Sequence, residues 1–310
     1  MDSIRIHEVG PRDGLQAEST VVPAEVRIRW IQSIIGSGID IIQLGSFVNP
    51  QKVPQMAETD ALFRHFSGAN KPANVVLAAL VLNEKGLERG LACNVDMFCM
   101  GVSASPTHSL KNTGMTPSEA LPRIINMAKQ AQNAGKRVQV SVQSAFGCGY
   151  VGPIAPAAVL DIVKSYLDAG LRSLSLADTA GHAHPLQVQD LFDAVRRLDA
   201  GVELACHFHN TYGLGLANCL AALKSGVTSF ESALGGLGGC PFTKVPAGNV
   251  STEDLVHSFQ RMGLRTDIDL DALLGTARQV GEFFGRELPG LVLRSGSIVG
   301  FRGQPKEEAA

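Results

Sequence analysis

Short β-like apolar runs alternate with helix-like segments, almost from the first residue to about residue 263, and no other feature restricts the fold of this chain as much. "IRIHEV" (4–9), "DIIQLG" (40–45), "ANVVLAALV" (73–81) and "VDMFCMG" (95–101) read as strands, followed by "RVQVSVQSA" (137–145), "SLSLAD" (173–178), "VELACHFHN" (202–210) and "TSFESAL" (228–234). Helix-like segments follow them at 24–38, 53–66, 83–92, 116–135, 155–170, 186–198, 213–226 and 251–263. Some carry their own boundaries: Thr116 as N-cap before Pro117, Gly135 past the end, and Ser251-x-x-Asp254 opening the last. Strands this apolar belong to a parallel sheet covered on both faces. Eight such units predict an α/β fold, a closed (β/α)8 TIM barrel, with an additional C-terminal helix at 270–285. An open doubly wound sheet would place a glycine-rich phosphate turn after the first strand, where this chain has "GPRDGLQ". No linker interrupts the pattern, so residues 1–285 are expected to form a single barrel domain and 286–310 a C-terminal extension whose tail, "GFRGQPKEEAA", frays.

Composition narrows the partners. A formal net charge of −2 without any run of Lys and Arg argues against nucleic acid or an anionic membrane surface. No apolar stretch reaches the roughly 20 residues of a membrane span. Six cysteines without a CxxC pair, four of them inside apolar runs, fit a reducing compartment. "MDSIRIHEVG" enters a strand at once, which leaves no room for a signal peptide. The expectation is a cytoplasmic protein.

A TIM barrel builds its chemistry at the C-terminal ends of its strands and in the loops that follow. The polar residues fall there: Arg12 and Asp13 after the first strand, Gln43 within the second, Asp178 ending the sixth, His207 and His209 ending the seventh. After the eighth comes "GGLGGCPFTKVPAGN", with Cys240 and Asn249. His207 and His209 are two residues apart, so on a strand both imidazoles face one side. With Asp13 and Asn249 they offer two nitrogens and two oxygens, a set suited to Mg²⁺ or Mn²⁺ rather than to structural zinc. The alternative is a pair of solvent-facing or hydrogen-bonded histidines with no metal. Arg12 is placed to offset charge on a substrate oxygen. His182 and His184 share the same spacing but lie in a loop; Cys148 reads as a structural loop cysteine and His7 as a packed core histidine.

Five stretches, "EVGPRDGLQAE" (8–18), "SFVNPQKVPQMAETD" (46–60), "SLADTAG" (175–181), "HFHNTYGLGLAN" (207–218) and "GLGGCPFTKVPAGNVSTEDLV" (236–256), together resemble the 3-hydroxy-3-methylglutaryl-CoA lyase family of metal-dependent barrels. The resemblance implies cleavage of 3-hydroxy-3-methylglutaryl-CoA to acetyl-CoA and acetoacetate with a divalent metal. It implies Asp13, His207, His209 and Asn249 as metal ligands, Arg12 at the thioester oxygen, and Cys240 as the proton donor on a closing loop. Asp178 is implied as a catalytic or supporting polar residue, and Ser46, Ser175, Lys111 and Asn112 as lining the acyl-CoA site. A homodimer is the commoner assembly in the family.

Three departures from the family pattern bear on substrate. Gln43 stands where the lyases carry glutamate, Asn210 replaces the aspartate of HxHDT, and "TKVPAGN" brings Lys244 and Pro246 into the glycine-rich loop. Gln43 and Lys244 are therefore expected to contact substrate and to shift the acyl preference toward a related 3-hydroxyacyl-CoA. A silent CoA- or metal-binding barrel is the remaining alternative.

Overall fold

The computed structural model describes residues 4–239 and 248–298. Eight strands, β1 (Arg5–Glu8), β2 (Ile41–Ser46), β3 (Val76–Leu80), β4 (Met97–Ser103), β5 (Arg137–Gln143), β6 (Ser173–Asp178), β7 (Glu203–Phe208) and β8 (Ser229–Ser232), close into a parallel barrel in chain order. β1 closes on β8 through the register Ile6–Phe230 and His7–Glu231. The expected (β/α)8 barrel is the fold that forms.

Successive residues of each strand face opposite ways. The outward set, including Val140, Val142, Leu174, Leu176, Cys206, Phe208 and Phe230, is buried under the helices. Phe230 stacks edge-on against Phe259 at 5.0 Å and Phe146 packs on Phe208 at 5.5 Å. Each such side chain contributes roughly 1.5–3 kcal/mol by leaving water. A separate small cluster of Ile41, Ala78, Met97 and Cys99 packs on β2, β3 and β4.

The helices are α1 (Ala24–Gly36), α2 (Thr59–His65), α3 (Glu84–Ala92), α4 (Pro106–Thr113), α5 (Pro117–Asn133), α6 (Pro156–Asp168), α7 (Pro185–Leu198), α8 (Gly215–Lys224), α9 (Thr252–Arg261), α10 (Leu270–Phe284) and α11 (Leu291–Ser295). The additional helix expected at 270–285 is α10, joined to α1 by an edge-on Trp30–Phe283 contact at 5.5 Å. Three elements depart from the sequence reading. The helix expected over 53–66 divides into a 3₁₀ turn, Pro54–Met56, and α2, because Thr59 Oγ1 turns back to donate to Met56 O at 2.8 Å. Helix α4 was hidden by its polar composition, although Ser105 caps it and Gly114 ends it in the left-handed region. A π-helical turn, Gly10–Gly14, follows β1.

Part of the C-terminal extension is held down. Asp254 accepts hydrogen bonds from the amides of Leu291 and Val292 at 2.9 and 2.7 Å, and Gly290 N donates to Gly235 O at 3.1 Å. The tail expected to fray, 300–310, lies outside the described residues, as does residue 299. Among the described residues no helix is long and apolar enough to cross a membrane.

Candidate active site

The inward-facing positions enclose a cavity of about 510 Å³ at the C-terminal end of the barrel. Gln43, Cys99, Gln139, Ser141, Ser175 and Glu231 line its depth, and Arg12, Asp13, His207 and His209 border it.

The π-helical turn delivers Arg12 and Asp13. Asp13 N donates to Val9 O at 2.7 Å, and Gly10 sits where an added Cβ would lie 2.4 Å from Glu8 Oε1. Only glycine allows that approach. Arg12 Nε then donates to Gln43 Oε1, and Arg12 Nη1 to Asp13 Oδ1. β7 delivers His207 and His209, whose ring centroids are 5.2 Å apart. Asn249 is drawn in by an isolated antiparallel bridge to His209. Its Nδ2 donates to Asp13 Oδ2 at 2.8 Å and to Leu237 O at 3.0 Å.

Asp13, His207 and His209 present ligand atoms that all lie within 4.8 Å of one another. His207 Nε2 is 4.0 Å from Asp13 Oδ2. His209 Nδ1 and Asn249 Oδ1 are buried without a hydrogen-bond partner. Buried polar atoms are normally paired, so unpartnered lone pairs beside a carboxylate fit a cation. The charge balance agrees. Burial opposes ionisation of Asp13, but the Arg12 guanidinium and the two imidazoles outweigh it and hold the carboxyl well below its ordinary range. Burial, with His207 beside it, lowers His209 to about 4, which keeps the ring neutral and free to ligate.

Glu231 was not foreseen, and it organises the floor. Its Oε2 lies 3.0 Å from His207 Nδ1, while Oε1 accepts from Ser175 Oγ at 2.8 Å and Gln139 Nε2 at 3.2 Å. Burial disfavours a charge on His207, but the hydrogen bond to Glu231 and its charge outweigh this and raise the imidazole above its usual value. Metal-bound histidines commonly donate their second ring nitrogen to a carboxylate in this way. The signal was present in "SFES" and "RVQVSVQ", where a carboxylate and three polar residues occupy inward positions of otherwise apolar strands.

The other expected residues divide. Gln43, Ser175 and Asn112 line the cavity. Ser46 is fully buried, its hydroxyl unpartnered, and does not line it. Lys111 lies over the Tyr150 ring, Nζ 3.9 Å from the centroid. Asp178 is buried on the outward face, where its oxygens accept from the amides of His182 and Ala183 at 2.8 and 3.1 Å. Burial raises its pKa to about 6. His184 caps α7, and Cys148 accepts from Ser105 Oγ at 3.1 Å, both structural placements. His7 is fully buried with neither ring nitrogen partnered. Asn210, one of the departures, accepts from Gly215 N at 2.9 Å and so caps the entry to α8. Cys240 and Lys244 lie outside the described residues.

Comparison with known proteins agrees with the fold. Residues 3–280 match the HMGL-like family model. The chain is 35% identical to hydroxymethylglutaryl-CoA lyase YngG of Bacillus subtilis, covering 92% of this chain and 95% of the relative. It is 36% identical to (R)-citramalyl-CoA lyase of Chloroflexus aurantiacus, covering 96% of each. A solved HMG-CoA lyase from Acinetobacter baumannii, in complex with coenzyme A and 3-methylmalate, superposes with a TM-score of 0.89 at 36% identity over 98% of both chains. With the barrel, its Asp-His-His group and a match across nearly its whole length, the chain belongs to the HMGL-like family, whose members here are carbon–carbon lyases.

Proposed function

We propose that this chain cleaves 3-hydroxy-3-methylglutaryl-CoA to acetyl-CoA and acetoacetate with Mg²⁺ or Mn²⁺. The observation that carries the reading is the Asp13–His207–His209 group beside the Arg12 guanidinium, at the border of a cavity large enough for an acyl thioester. Asp13, His207, His209 and Asn249 would hold the ion. When bound, it supplies Lewis-acid polarisation of the substrate hydroxyl.

The remaining work falls to side chains. Cleavage breaks the bond between the carbinol carbon and the thioester α-carbon. The hydroxyl proton leaves to a base as the ketone forms, and the electron pair becomes the enolate of acetyl-CoA. Arg12, held between Gln43 and Asp13, stabilises the enolate oxygen. Cys240 returns a proton to the α-carbon, a task suited to a thiol with an ordinary pKa near 8.5. Glu231 fixes the tautomer of His207. Asp178 acts from behind by holding the loop that ends β6. Asn112 and Lys111 serve the coenzyme A portion, with Lys244 on the closing loop. In the same reading residues 1–285 are the catalytic unit, 286–310 an extension, and the chain a cytoplasmic homodimer; sedimentation tests the last.

A related 3-hydroxyacyl-CoA is the second reading. It is favoured by the neutral Gln43 against Arg12 and by Ser141 and Gln143 on the cavity wall. A panel assay decides. The metal-loaded protein is given 3-hydroxy-3-methylglutaryl-CoA, citramalyl-CoA and other 3-hydroxy-3-alkyl thioesters, and acetyl-CoA release is followed. Turnover of the first with loss in Cys240→Ala is expected. Turnover of another member alone supports the second reading, and no turnover of any would overturn both.

A further inference from the structure

Main-chain carbonyls from three separate segments converge on one buried cation, Arg27 of α1. The residue is 1% exposed. Its Nη2 donates to Pro11 O at 3.1 Å and to Leu44 O at 2.7 Å, and its Nη1 to Gln55 O at 3.3 Å. Among the described residues it takes part in no ion pair. A buried charge without a counter-ion is costly. Here three carbonyl dipoles offset it, with the charge of Glu58 adding to them without a direct ion pair.

Two of those carbonyls belong to backbone irregularities. Pro11 lies inside the π-helical turn Gly10–Gly14. Such turns are rare and concentrate at functional sites. Leu44 is the residue skipped in the β2–β3 ladder, where Gln43 pairs with Ala78 and Gly45 with Ala79. A bulge leaves its extra residue unpaired and re-aims the strand. Arg27 takes the bulged residue's carbonyl on the same nitrogen that holds the turn. In front of this junction the turn presents Arg12 and Asp13, the bulged strand presents Gln43, and Arg12 Nε meets Gln43 Oε1.

We propose that Arg27 is a positioning residue that clamps the π-helical turn to the β2 bulge from behind, holding Arg12, Asp13 and Gln43 in register with His207 and His209. Only the second readout below rests on the metal reading of the site.

The test compares Arg27→Lys with Arg196→Lys in the full chain. Arg196 is a matching clamp at the other end of the barrel, with Nε donating to Ser225 O at 2.8 Å and Nη2 to Gly226 O. Lysine keeps the charge but reaches fewer carbonyls. In metal-free protein, amide hydrogen exchange in segments 9–15 and 41–47 should rise about 10-fold in Arg27→Lys and stay at the wild-type rate in Arg196→Lys. The Mn²⁺ dissociation constant, by calorimetry, should weaken about 10-fold in Arg27→Lys alone. Arg27→Gln, without the charge, should move both readouts further in the same direction. Exchange in the two segments no faster than in Arg196→Lys, or raised evenly along the chain, would overturn the clamp. Wild-type protein that binds no Mn²⁺ would instead overturn the metal reading, while the exchange comparison still decides the role of Arg27.

Discussion

Replacing Glu231 by glutamine tests the site at its least visible point. In the native arrangement the carboxylate takes His207 Nδ1 at 3.0 Å, Ser175 Oγ at 2.8 Å and Gln139 Nε2 at 3.2 Å. That pattern places the His207 proton on Nδ1 and leaves the Nε2 lone pair facing Asp13. A glutamine has one acceptor oxygen for three donors. If its oxygen stays with Ser175 and Gln139, its NH₂ meets His207 Nδ1 and drives the proton to Nε2, where it blocks ligation. Loss of such a supporting carboxylate weakens metal affinity by about 10–100-fold, equivalent to about 1.4–2.7 kcal/mol. Calorimetric Mn²⁺ titration at fixed pH should show that loss in Glu231→Gln, together with a matching fall in kcat. A dissociation constant within twofold of wild type would refute the assignment of the His207 tautomer to Glu231.

Three further outcomes follow from other parts of the molecule. His209→Ala should abolish Mn²⁺ binding with little change in thermal unfolding, since Nδ1 makes no hydrogen bond in the fold; retained binding at wild-type affinity would exclude His209 as a ligand. Glu253 is buried against Gly235 N and Ser251 Oγ, and burial pushes it up to about 8 from an ordinary 4.5. A raised carboxyl pKa means that its contribution is fully present below about pH 4.5 and is lost as pH rises toward 8. Urea unfolding of wild type minus Glu253→Gln should therefore fall by on the order of 2 kcal/mol between pH 5.5 and 7.5, and a flat difference would contradict the burial argument. Gly101→Ala would place a Cβ 2.1 Å from Ser141 Oγ and 2.4 Å from its carbonyl oxygen. Forcing β4 from β5 should cost about 1–3 kcal/mol in urea unfolding; unchanged stability would mean that the strands part without strain.

The sequence by itself determined the barrel and half of the site. Eight alternations specify (β/α)8 because strand and helix periods are local properties, written in consecutive residues. The same parity puts His207 and His209 on one face. Read more strictly, it would also have put Ser175 and Ala177 inward and Asp178 outward, and would have exposed Glu231 and Gln139 as polar residues on the inner face. Tertiary structure alone decided which of these meet. Barrel closure brings β1 beside β8, so that Asp13 reaches Asn249 across 236 positions of chain. The irregular segments escaped the pattern for a related reason. The π-helical turn that aims Arg12 and the bulge at Leu44 break the local periods. They persist because distant groups such as Arg27 satisfy the carbonyls that the regular ladder leaves unpaired.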